Sequence, residues 1–170
     1  MKIGKMSKSL ALAAPLVAVA PTDVDAAAYI KIGDIKGEVT APGFEEYVKL
    51  DYFKIEIDGV TNNNKFGIPT ISFPMDKGSP KLMLACATGE TLEEATVVFT
   101  KQTANGTEEA YYKITFSNVR VLSYKNERKE ESNIPFDSLT LGYTEVEWTY
   151  YVFSSSGSLA DTISSGSFTR

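Results

Sequence analysis

From Tyr29 onward apolar residues recur at every second position, and at two places that alternation slips by one residue. A period of two is the signature of strands with one face buried. Val48, Leu50 and Tyr52 alternate with Lys49 and Asp51; from Phe53 the phase changes, and Phe53, Ile55 and Ile57 carry it on. Leu139, Leu141 and Tyr143 likewise give way to Val146, Trp148, Tyr150 and Val152. A slip of one residue sends an apolar set to the opposite face, so each marks a β-bulge or bend. Gly142 is placed to permit the second.

Between these landmarks the chain reads as short strands and turns. Ile30 and Ile32 open the pattern before Gly33-Asp34. Residues 59–67 form a polar loop around Thr61, Asn62, Asn63 and Asn64. Residues 68–75 read as a strand with Pro69 and Pro74 near its ends, which predicts an edge or interrupted position. Residues 96–103 and 108–116 form a hairpin around Asn105-Gly106, a pair suited to a type I′ turn. That turn accounts for the residues better than the glycosylation sequon they share with Thr107. Residues 118–124 read as a further strand, 125–132 as a charged loop, and 159–168 as a weak last strand or a tail.

One helix is predicted. Ser79 suits the N-cap, Pro80 the first helical position and Gly89 the C′ stop. Leu82, Ala85 and Cys86 share a face that can cover a sheet. The fold class is therefore mainly β: an antiparallel β-barrel or two packed sheets with one short flanking helix.

Composition narrows the chemistry. The 170 residues suit one domain, and at 43% hydrophobic they can bury a core. The net charge is −5 and no basic cluster occurs, which argues against nucleic acid. With no histidine the chain holds neither a Ser-His-Asp triad nor a Cys-His pair, and common zinc sites lose their nitrogen ligand. Cys86 is the single cysteine, so no disulfide forms within the chain, and its apolar helical setting suits a small buried hydrophobe. Glu45-Glu46, Glu93-Glu94, Glu108-Glu109 and Glu130-Glu131 are neighbours that point apart in strands or sit solvated in loops. They make poor acid–base pairs. Asp34, Asp51 and Asp58 lack the spacing of a calcium loop. No catalytic residue, metal or cofactor is expected.

Residues 1–28 differ in composition from the rest. Lys2, Lys5 and Lys8 precede an apolar run at 10–20, and small residues follow, with Val24-Asp25-Ala26 and Ala26-Ala27-Ala28 as processing sites. This is the layout of a secretory signal, and the run is too short for a stable membrane span. The other reading is a retained assembly arm in which Leu10, Leu12, Leu16, Val17 and Val19 add a strand to a neighbour. Either way the division is 1–28 and a β domain at 29–170.

Three stretches resemble the haemolysin-coregulated protein (Hcp) family, the tube protein of type VI secretion. They are residues 29–38, YIKIGDIKGE; residues 71–90, ISFPMDKGSPKLMLACATGE; and residues 145–150, EVEWTY. The resemblance implies a barrel with a flanking helix, closed into a hexameric ring. Stacked rings form a tube that a contractile sheath propels, and effectors ride in the lumen. On this reading the partner is the chain itself and the protein is secreted, passing through the cytoplasm. The loop at 59–67 is shorter than in many members, where it helps join rings; Thr61, Asn62, Asn63, Asn64, Lys65 and Phe66 are its candidate assembly contacts. Members that form the cytoplasmic tube usually lack a secretory signal. Two further classes stay open, a filament built by N-terminal strand addition and a secreted adhesin or carbohydrate-binding module. For the latter, Tyr151 is the expected exposed aromatic, with Trp148 and Tyr150 in the core.

Overall fold

The computed structural model describes residues 26–57, 66–103, 106–128 and 133–169. In chain order they form β1 (Ala28–Ile32), β2 (Val48–Lys49), β3 (Tyr52–Lys54), β4 (Thr70–Pro74), α1 (Ser79–Thr88), β5 (Leu92–Gln102), β6 (Glu108–Glu127), β7 (Phe136–Gly142), β8 (Glu145–Phe153) and β9 (Leu159–Thr169). All pairings are antiparallel.

Two sheets share β6. The first runs β2-β1-β5-β6-β8-β9, and the second runs β6-β7-β4-β3. Their inner faces meet in one core, with Ile30, Val97, Ile114, Phe116 and Val146 from the first and Ile71, Phe73, Val121, Leu139 and Leu141 from the second. The phase slips lie where strands pass between sheets. Leu50 donates its N–H to Ala28 O at 2.8 Å in the first sheet; the next residue, Asp51, donates to Ser72 O at 3.0 Å in the second. No ladder joins β2 to β3. The chain itself makes the crossing.

The second slip has a partner that alternation alone did not reveal. Core positions in β6 change from Ile114 and Phe116 to Val119 and Val121, across Asn118 at φ 50°. Opposite, Tyr143 and Thr144 interrupt β7 and β8, yet the register is unbroken from Val121↔Leu141 through Arg120↔Gly142 to Ser117↔Glu145. Thr144 N–H donates to Ser117 O at 3.0 Å, and Asn118 Nδ2 to Thr144 Oγ1 at 2.9 Å. The two strands slip together, so residues 108–127 are one long bent strand rather than the two expected, and Lys125 belongs to it rather than to a loop.

Other expectations need correction. β4 is not an edge: it pairs with β3 and with β7. Ser72, whose carbonyl accepts from Asp51, faces β3, and Pro74 shares that direction. The β3 ladder ends at Tyr52↔Ser72, so the N–H that Pro74 lacks has no partner to disappoint. The hairpin turn is also different. Gly106 donates to Thr103 O at 2.9 Å with φ 76°, and Thr103 donates to Thr107 O at 2.9 Å. Gly106 is thus the left-handed residue closing a three-residue loop, not the second half of a two-residue turn.

Helix α1 starts one residue earlier than expected. Gly78, not Ser79, is the N-cap, Pro80 sits in the first turn, and Gly89 ends the helix at φ 68°. Leu82 and Ala85 face the core, Cys86 is half-buried, and α1 lies on β6. On the opposite side of the first sheet, residues 36–48 cross its outer face. Phe44 stacks on Tyr29 with ring centroids 5.3 Å apart, beside Val98. Gly37 makes that path possible, since a Cβ there would lie 2.2 Å from the Tyr47 carbonyl oxygen, and its N–H donates to Glu46 O at 2.7 Å. Gly37→Ala must push backbone off backbone. It is expected to destabilise by about 1–3 kcal/mol, read by chemical denaturation; a wild-type midpoint would show that this segment yields freely.

Candidate assembly surfaces

β9 is exposed along its whole length, and among the described residues it pairs only with β8. One long edge of hydrogen-bonding backbone is therefore free. Its side chains are not uniformly polar: Leu159 and Ile163 are each 57% exposed, and Phe168 is also exposed. Edge strands normally carry charges, prolines or bulges that discourage pairing. β9 has register shifts opposite Glu147–Thr149, next to Gly166, and opposite Val152–Phe153, which leave residues 161–164 and 167–169 as its regular stretches.

Beside this edge the apolar face of the first sheet opens to solvent. Phe53, Ile55, Ile57, Phe99, Tyr111, Tyr112 and Trp148 line a recess of about 500 Å³. Phe53 packs edge-on against Phe99 at 5.8 Å, and Phe99 packs on Tyr112 at 5.9 Å. The register shift after Phe99 leaves Tyr111 as an extra residue in β6, bringing both tyrosines within 6.3 Å of the Tyr150 ring. Tyr150, 43% exposed, stands opposite Ile163. The exposed aromatic is thus Tyr150, whereas Tyr151 is half-buried and Trp148 sits at the core margin. This reverses the expected roles of Tyr150 and Tyr151.

Of the loop contacts singled out in the sequence, Thr61, Asn62, Asn63, Asn64 and Lys65 lie outside the described residues. So do Leu10, Leu12, Leu16, Val17 and Val19. Phe66 is placed: half-buried, it packs on Trp148 at 5.6 Å and Phe168 at 5.7 Å. It ties the loop's end to β8 and β9 rather than projecting outward.

The start of α1 holds a buried polar cluster that the sequence did not signal. The Ser79 hydroxyl donates to the carboxylate of Asp137, which is fully buried, and Asn126 Nδ2 donates to the other carboxylate oxygen at 2.7 Å. Ser79 Oγ also accepts from Asp76 N–H at 2.9 Å. Its hydroxyl therefore holds the helix to β7 instead of capping it. The Tyr124 hydroxyl is buried nearby; burial, then the Asp137 carboxylate, raise it well above the usual phenol range, so it keeps its proton. Asp76 in turn accepts from Gly78 N–H at 2.7 Å and Glu38 N–H at 2.9 Å, tying the helix start to the outer segment. The cluster fastens elements together. Among the described residues no three His, Cys, Asp or Glu side chains converge as metal ligands, and no helix is long and apolar enough to cross a membrane.

Comparison with known proteins adds to this geometry. Residues 29–150 match the family model described as "Type VI secretion system effector, Hcp". A curated relative, the "Major exported protein" of Pseudomonas aeruginosa, is 27% identical over 140 residues, covering 74% of this chain and 81% of its own. Among solved structures, Hcp1 from Salmonella typhimurium superposes with a TM-score of 0.68 at 23% identity, covering 82% of this chain and 91% of that one. A type VI secretion system effector from Yersinia pestis gives 0.68 at 20% identity, with 84% and 99% covered.

Proposed function

The chain belongs to the Hcp family of the type VI secretion system, and from that premise we propose that it is an exported structural subunit that assembles with copies of itself into a hexameric ring. The free edge of β9 is the observation that carries this reading. A strand of that length with exposed Leu159, Ile163 and Phe168 is a liability in a solitary molecule and an asset in one that pairs. The aromatic recess beside it supplies apolar surface that a neighbour can cover, adding to the backbone bonds of strand addition.

The reading gives the protein a non-enzymatic role. Its polar clusters, Ser79 with Asp137 among them, link helix, outer segment and sheet. Rings stack into a tube whose lumen carries effectors. Export accords with the name of the Pseudomonas relative and with the signal-like start of the sequence.

Mass measurement in solution tests the assembly. The full chain at high concentration is expected to run as a closed ring of six, visible as annuli by negative-stain microscopy. A monodisperse monomer would sink the proposal, and an open polymer without rings would favour the filament.

A further inference from the structure

We propose that the chain is cut between Ala26 and Ala27, and that Glu108 receives the amino group which the cut releases. The sequence offers two small-residue sites, after Ala26 and after Ala28, and the fold separates them. Ala26 is exposed and lies outside every strand. Ala27 is already part of the sheet: its carbonyl accepts from Thr100 N–H at 2.8 Å, and its N–H donates to Thr100 Oγ1 at 3.3 Å. Ala28 opens β1 opposite Phe99, and its carbonyl takes the Leu50 N–H. A cut after Ala28 would delete these bonds and place a charged terminus on Tyr29, which is buried against Phe44. A cut after Ala26 leaves every one of them in place.

The surroundings of Ala27 suit a new cation. Thr100 is fully buried, and its hydroxyl, which lies within hydrogen-bonding distance of both Ala27 N and Ala27 O, donates to Glu108 Oε1 at 2.5 Å. Glu108 forms no ion pair among the described residues, although Lys49 lines the same recess. That recess, about 110 Å³, is bounded by Ala26, Ala27, Tyr29, Lys49, Gln102 and Glu108. In the uncut chain Ala27 N carries one hydrogen, directed at Thr100. In the cut chain it carries three, so an ammonium can keep the Thr100 bond and turn another toward the carboxylate one hydroxyl away. The reaction is hydrolysis by a processing peptidase acting in trans. Water adds across the peptide bond, the C–N bond breaks, Ala26 leaves as a carboxylate on residues 1–26, and the Ala27 nitrogen takes up the protons.

This inference stands apart from ring formation, and one preparation scores both. The full chain is expressed in cells that export it, and the released protein is examined by intact mass and N-terminal sequencing. A start at Ala27 is expected. A start at Met1, at Tyr29 or elsewhere overturns the cut site, whatever the assembly state. Ala26→Tyr is expected to leave the chain uncut. The acceptor role is read on the released protein by NMR titration of the Ala27 amino group. Its pKa is expected above the ordinary range of about 7.7–8.0, and Glu108→Gln, which keeps an oxygen for Thr100, is expected to return it there. Equal values in the two proteins overturn the role of Glu108.

Discussion

Replacing Leu159 and Ile163 together by lysine is expected to convert the assembled protein into a folded monomer. Both side chains are more than half exposed; Ile163 lies on a regular stretch of β9 and Leu159 just beyond a register shift. Lysines on an edge strand oppose the approach of a second strand, because each pairing must bring ammonium groups together or desolvate them. The cost to the monomer is small, since exposed substitutions usually stay within about 0.5 kcal/mol. The measurement is the mass in solution beside a thermal melt: loss of the ring at an unchanged midpoint. Rings that persist in the double variant would place the subunit interface elsewhere and leave the β9 edge without a role.

Leu82→Ala is expected to be the most damaging single substitution in α1, at about 2–5 kcal/mol. Leu82 is 1% exposed and belongs to the main core, and a ten-residue helix cannot collapse far to fill the gap because its first turn is fastened elsewhere. Ser79→Ala adds a separate cost of about 1.5–3 kcal/mol, the range for a hydrogen bond to a charged group, since it leaves Asp137 buried with one donor fewer. That exceeds the cost of an ordinary missing cap. Urea denaturation of each variant is the check. Wild-type behaviour of Leu82→Ala would mean that the helix does not contribute to the folding unit.

The slips in alternation located the boundary between the two sheets without any knowledge of pairing. The slips at Tyr52-Phe53 and after Tyr143 are local, and the sequence displays them. Their match with the slip in β6 is not local, because it depends on Asn118 taking a positive φ opposite Thr144. Reading residues 108–127 as two strands was the natural result. The helix was legible from Pro80, Gly89 and the spacing of Leu82 and Ala85. Ser79 was not, since a serine before a helix looks the same whether it caps or reaches a buried carboxylate far along the chain. The assembly surface was least visible. Tyr150 looked like core by parity, yet it stands exposed beside the Tyr111 and Tyr112 rings.

The continuous antiparallel ribbon that β6 makes with β7 and β8, with one register shift between Val121 and Ser123, also sets an order of events in folding. From Glu127↔Phe136 to Tyr112↔Tyr150 the pairs close outward from one turn, each needing only a small further loss of chain freedom. β1 is in the opposite situation. It is made first at the ribosome and finds only the two-residue β2 nearby; its long partner β5 lies far downstream, so most of β1 must wait unpaired. The long ribbon is therefore expected to acquire protection from hydrogen exchange earliest in refolding, and the Ala28–Phe99 pairing last. A chain delayed at that last step presents β1 unpaired, and its exposure time, more than its final stability, then governs how much of it is lost to aggregation.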